Sequence, residues 1–224
     1  MTATGKWLIV TADDFGISRG VNRGIVEAHR DGVLTSTSLM VNRPASAEAA
    51  ALARACPALS VGVHLELDPS DPDAIPAELA RQLARFVALV GAPPTHVDSH
   101  HDVHRDPRAL PHVRAWARRV GARVRGYSDV GHISKFYGQW GGETHLEQIS
   151  VDGLLRIVDA ELRDDNNVTE LTCHPGYVEP GFASSYAAER ETELRRLCDP
   201  RVRLGLTDRN IRLVGFRDLL ENAA

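Results

Sequence analysis

The sequence is poor in cysteine, having only Cys56, Cys173 and Cys198, far apart and without a CxxC pair. That excludes a disulfide framework and a structural zinc knot, and it fits a reducing compartment. Charge of one sign is missing too. Lysine and arginine interleave with aspartate and glutamate to a formal net charge of -4, leaving neither a basic stripe for nucleic acid nor a polybasic membrane patch. Long hydrophobic runs are absent from the start of the chain, where a few apolar residues lead straight into carboxylates. The opening segment therefore reads as neither a secretory leader nor a membrane span, and a cytoplasmic setting is expected. Gly/Ser linkers and low-complexity tracts are also lacking.

What is there is an ordinary balance for one compact domain covering residues 1–224, with 43% hydrophobic and 25% charged residues. Apolar, β-branched runs at 7–11, 36–41, 60–67, 95–100, 123–127, 170–173 and 202–207 alternate with stretches of helical periodicity. The first helix starts near Ser18 and stops at Gly32, and others cover 45–56, 77–90 and 108–120. In the third of these helices Leu79, Leu83, Val87 and Val90 form one stripe, ended by Gly91. About seven βα units in this length predict an α/β fold, a distorted or incomplete (β/α) barrel of parallel strands with outer helices. An open doubly wound sheet is the alternative. The stretch 131–143, rich in glycine and aromatic residues, reads as a long functional loop.

A parallel barrel carries its reactive groups at the C-terminal ends of its strands. Ten histidines are present, and several fall there beside carboxylates. Strand one ends in Asp13 and Asp14, strand three carries His64 and Glu66, the segment PTHVDSHHDVH supplies His96, Asp98, His100, His101 and His104, and the sixth strand ends in His174. Adjacent carboxylates in an apolar strand are costly to bury without a cation or donors to compensate them. Carboxylate oxygen with neutral imidazole suits one divalent ion, zinc or magnesium, with manganese or cobalt also compatible. The blander reading makes Asp13 and Asp14 turn caps.

Alternation in strand three sets His64 and Glu66 on one face, with Glu66 a substrate-side or supporting group. Asp98 shares a face with His100 and is expected to accept the second ring hydrogen of that imidazole, with His101 and His104 as supporting or surface residues. Pro175 and Gly176 end the strand after His174 and leave its imidazole at the rim, which suits a general acid, whereas Cys173 has the opposite parity. Phe136, Tyr137 and Trp140 are candidates for an aromatic lip against a sugar face, or else for a hydrophobic plug or a contact in a homo-oligomer.

TADDFG, SVGVHLEL, PTHVDSHHDVH, the FYG of the loop and LTCHPGY occur in an order that resembles the YdjC/ChbG-like carbohydrate (chitooligosaccharide) deacetylases over nearly the whole chain. The resemblance implies a distorted (β/α) barrel and a divalent ion held by Asp14, His64 and His100, with Asp13 as base and His174 as acid. It implies a hydrolase that removes the N-acetyl group from a small amino sugar or short oligosaccharide. Two departures stand out. The triple histidine after DS reads His100, His101, Asp102 here, and the stretch between His64 and Pro94 is short, which implies a differently shaped cleft. Two rival readings are a metal-dependent phosphoesterase on a similar barrel and a non-catalytic, metal-containing sugar-binding protein.

Overall fold

The computed structural model describes residues 6–162 and 168–221, so the first five residues of the opening segment lie outside it. The chain runs β1 (Lys6–Phe15), α1 (Arg19–Arg30), β2 (Ser36–Leu39), α2 (Ser46–Arg54), β3 (Ser60–Leu65), α3 (Ile75–Val90) and β4 (His96–Ser99). A 3-10 turn (His100–Arg105) leads to α4 (Leu110–Val120), β5 (Arg123–Val124), β6 (Gly131–Ile133), β7 (Gln139–Trp140) and β8 (Glu143–Thr144). The remainder is α5 (Val151–Glu161), β9 (Val168–Cys173), α6 (Ala188–Leu197), α7 (Pro200–Asp208), β10 (Ile211–Leu213) and α8 (Phe216–Glu221). Among the described residues, no helix is long and apolar enough to cross a membrane.

The strands form one parallel sheet in the order β5-β4-β3-β2-β1-β9-β6, and β10 joins the first half of β1. Strand β1 is the hub, with β9 along most of one side and β10 followed by β2 along the other. The sheet curves into a half-barrel wrapped by helices, the expected incomplete barrel. Parallel strands need helical crossovers, and these cover the outer face. Local chemistry supports the crossovers: the Ser18 hydroxyl caps α1 by accepting from Val21 N–H, and Gly91, at a φ of 84°, ends α3.

Three expectations are corrected. The run 202–207 is not a strand but lies inside α7. Asp199 caps that helix and Pro200 occupies its first turn. The period-two spacing of Val202, Leu204 and Leu206 also puts the outer pair one helical turn apart, so Val202 and Leu206 are buried while Leu204 is 60% exposed. In α3 the buried face is Ile75, Leu79, Gln82 and Phe86, and Val87 lies off it. The 131–143 stretch is partly regular, since β6 extends the sheet beside β9 and β7 pairs with β8 in a small antiparallel hairpin.

Two backbone features shape the inner face. Gly62 on β3 leaves room for the His96 ring, which a Cβ would approach to 2.5 Å. The pairing of β1 with β2 shifts register between Ala12 and Phe15, and Asp14 takes a left-handed φ of 67°. A bulge of this kind re-aims a side chain at a strand end, so Asp13 and Asp14 escape strict alternation and both reach the cavity.

Phe136 is fully buried among core residues, whereas Trp140 is 48% exposed. Phe136→Ala is therefore expected to cost about 3–5 kcal/mol in urea unfolding, and Trp140→Ala no more than about 0.5 kcal/mol. Equal losses would contradict this placement.

Candidate active site

The C-terminal strand ends surround a cavity of about 520 Å³ lined by Asp13, Asp14, His64, His100, Arg125 and His174, with Tyr137, Tyr186 and Arg190 completing one wall. Asp14, His64 and His100 bring one donor atom each within 4.8 Å of one another. Asp14 Oδ1 lies 3.5 Å from His64 Nε2 and 3.2 Å from His100 Nδ1. The far nitrogen of His64, Nδ1, donates to Asp98 Oδ1 at 2.7 Å, which fixes the tautomer and turns Nε2 toward Asp14. Asp98 thus serves His64, not His100 as the strand parity suggests. Strand β4 ends at Ser99, and His100 leaves on the following turn.

The electrostatics of this corner fit a cation. Burial works against ionising Asp14, but hydrogen bonds to His100 and His64 and the charge of Arg190 hold its carboxyl well below the usual range. Burial likewise opposes charging His64, yet Asp13 and Asp98 outweigh it and hold the imidazole well above its ordinary value. That negative field is the one a divalent ion would neutralise. A carboxylate oxygen with two imidazole nitrogens, one locked by a carboxylate behind it, is the donor set of a catalytic site with open positions.

A second acidic group lies deeper and is already compensated. The Arg125 guanidinium, buried behind β5, binds both oxygens of Asp13 at 2.8 Å, reaches Asp98 Oδ2 at 2.6 Å and contacts Glu170 on β9 at 2.9 Å. Arg190 Nη2 binds Asp14 Oδ2 at 2.5 Å. The four carboxylates Asp13, Asp14, Asp98 and Glu170 thus outnumber the two guanidinium groups that face them. The grouping of His96, Asp98 and Glu170 also has ligand-like spacing, but Arg125 binds both of its carboxylates.

His174 follows β9, with Nε2 3.9 Å from Asp13 Oδ2. Burial pushes its pKa down despite the carboxylates nearby. Its Nδ1 is buried without a hydrogen-bond partner among the described residues, and the ring sits edge-on to Tyr137 and Tyr186 at 5.6 Å. Cys173 is absent from the cavity wall. Its thiol donates to the Thr11 carbonyl, and burial pushes its pKa well up.

The structure brings most of the expected residues together and separates three. Tyr137 lines the cavity, Phe136 is in the core, and Trp140 lies beyond the cavity on the β7–β8 hairpin, stacked on His145. Glu66 is also outside the cavity wall, in an ion pair with Arg43 at 2.6 Å. His101 does line it, in a left-handed conformation at φ 56°, and Asp102 follows at the same φ. His104 is fully buried. Its Nε2 donates to the Arg125 carbonyl and its Nδ1 accepts from Ser99, so it braces the backbone of Arg125. Arg125, Glu170, Arg190, Tyr186 and Glu193 escape the sequence reading. For Glu170 a signal exists, a carboxylate inside an apolar strand, and it carries the same argument applied to Asp13 and Asp14.

Comparison with known proteins agrees with this architecture. The family model described as YdjC-like protein matches residues 7–72 and 67–208. A chitooligosaccharide deacetylase of Klebsiella pneumoniae is 36% identical, the match covering 95% of this chain and 98% of the relative, and one of Salmonella newport is likewise 36% identical over the same shares. A solved Enterococcus faecalis protein, named for cellobiose-phosphate cleavage, superposes with a TM-score of 0.85 at 26% identity, covering 96% of this chain and 99% of that one. A family 4 acetyl xylan esterase of Clostridium thermocellum, solved with a cobalt ion, shares the fold at a TM-score of 0.57 and 16% identity, over 96% and 91% of the two chains. The chain belongs to the YdjC-like family. The Klebsiella alignment extends over 256 positions against 224 residues here, so that relative carries insertions this chain lacks.

Removing the central cation exposes three buried carboxylates to one another. Arg125→Ala is expected to lower unfolding free energy by about 3–5 kcal/mol, measured by urea denaturation. A loss below about 1 kcal/mol would show that the carboxylates do not depend on Arg125.

Proposed function

We propose that this protein is a divalent-metal-dependent carbohydrate deacetylase, hydrolysing the N-acetyl group of an amino sugar or short oligosaccharide to acetate and free amine. The observation that carries this reading is the meeting of the three donors Asp14, His64 and His100, the grouping among the described residues that Arg125 does not bind, with Asp13 and His174 facing each other at its edge. Relatives named chitooligosaccharide deacetylase at 36% identity support it. Zinc, magnesium, manganese and cobalt all suit the donors. Free Cys56, Cys173 and Cys198 suit a cytoplasmic setting.

An ion held by Asp14, His64 and His100 would supply Lewis acidity, polarising the acyl carbonyl and making water more acidic. Asp13 takes the proton from the attacking water. Arg125 binds both its oxygens, which fixes the carboxylate plane and still leaves each oxygen a lone pair. A carbon–oxygen bond forms as water adds, and collapse breaks the amide carbon–nitrogen bond. His174, its Nε2 3.9 Å from Asp13 Oδ2, passes the proton that Asp13 took on to the departing nitrogen, which leaves both groups as they began. Arg190, lying over Phe182 and Tyr186, holds the second oxygen of Asp14 and limits its rotation.

The phosphoesterase reading asks for two or three ions. Among the described residues the second acidic grouping already pairs with Arg125, which disfavours that demand. A purely sugar-binding protein would have little need of a matched acid and base.

Acetate release is to be measured on a panel of N-acetylated mono- and disaccharides, with protein stripped of metal and reloaded with each ion in turn. Release is expected only after reloading. Asp13→Asn is expected to keep its metal and lose about 10²–10⁴-fold in kcat. Full turnover in that variant, or phosphate release from an aryl phosphate with no acetate release, would contradict the proposal.

A further inference from the structure

One buried acid takes no part in the chemistry above. Glu193, on α6, is fully buried. One of its oxygens accepts the backbone N–H of His174 and the other accepts the Tyr186 hydroxyl. The Tyr186 oxygen in turn accepts the Gly138 N–H at 2.7 Å. The Tyr186 ring stacks on Tyr137 at 4.4 Å and 9°, and both rings meet the His174 imidazole edge-on. The turn after β9 at His174 and the approach to α6 at Tyr186 therefore converge on one carboxyl group, and Tyr186 ties in the β6–β7 connection at Gly138.

The arrangement does more than fill space. A carboxyl with two donors on its separate oxygens fixes both donor groups at once, and low dielectric strengthens each bond. Tyr137 and Tyr186 line the cavity beside His174, so their shared anchor sets the distance between an aromatic wall and the imidazole. We propose that Glu193 is a positioning residue, holding the His174 backbone directly and the Tyr137–Tyr186 wall through Tyr186, so that acid and sugar face keep one mutual geometry. This rests on the deacetylase reading for the identity of the acid.

Burial pushes the Glu193 carboxyl up to about 8. The groups that face it are Tyr186, the His174 amide, Arg190 and Asp13, with Cys173 and Tyr137 also within its field. At neutral pH the carboxyl is mostly protonated and adds little charge beside Asp13. A pKa raised in the folded state above the ordinary carboxyl value contributes stability that is fully present below that ordinary value and is lost as pH rises through the folded value. This contribution is therefore expected to fall between the ordinary carboxyl value and about 8, and to be gone above it.

The test uses the full metal-loaded chain with Glu193→Gln, Glu193→Ala and Tyr186→Phe, reading metal content, kcat and KM for acetate release, and Tm against pH. A carboxamide can accept from His174 and donate to Tyr186, so Glu193→Gln is expected to rescue kcat and to flatten the fall in Tm between the ordinary carboxyl value and about 8. Glu193→Ala is expected to keep its metal and lose about 10- to 100-fold in kcat, and Tyr186→Phe to raise KM more than it lowers kcat. Wild-type kcat and KM in Glu193→Ala, or the same fall in Tm up to about pH 8 for Glu193→Gln and wild type, would overturn the proposal. If Glu193→Ala does not fold, the Gln and Phe variants and the melting curves decide. Acetate release by the wild type is the separate control, since its absence sinks the deacetylase reading while the Tm curves still judge Glu193.

Discussion

The site depends on one buried guanidinium. Arg125 reaches from the end of β5 to carboxylates on β1, β4 and β9. Among the described residues the strand order ends at β5 and β6, and Arg125 ties strands across the sheet that are not neighbours in it. An arginine fork with five donors can bind several carboxylates from different strands at once, which a lysine cannot do. Burial of so many charges is tolerable because nearly every oxygen has a partner, and removing the fork would leave them uncompensated.

That pairing divides the labour of two adjacent carboxylates. Asp13 is turned inward to Arg125, with one edge toward His174. Asp14, set apart by the bulge and its left-handed backbone, turns to His64, His100 and Arg190. Adjacent residues of the same type thus acquire different environments through backbone conformation, which in turn allows different roles. Asp98 links the two halves, because one oxygen holds His64 Nδ1 and the other meets Arg125 and Ser38. His104 braces the backbone carbonyl of Arg125 from behind.

The fold class was legible because βα alternation is a strong periodic signal, and the strand-end histidines and carboxylates were legible because they interrupt apolar strands. Residues 202–207 misled because an i, i+2, i+4 apolar pattern in a short run satisfies strand and helix alike, and only the cap at Asp199 with Pro200 separates them. Phe136 misled because an aromatic residue among glycines looks like a loop tip, while its burial is set by packing from elements distant in sequence. Glu66 misled for a similar reason, since alternation gives the face of a strand but not the arginine waiting on a neighbouring loop. Arg125, Arg190 and Glu193 were invisible because their meaning lies in partners 112, 176 and 19 residues away. Such pairings leave no periodicity.

The central claim is that Arg125 satisfies one acidic grouping and leaves a single place for a cation beside Asp14. Equilibrium dialysis of metal-free protein against zinc, with bound metal counted per chain, tests it directly. The account predicts one tightly bound ion in the wild type and its loss in His64→Ala. Two tightly bound ions per chain, or undiminished binding in His64→Ala, would contradict it.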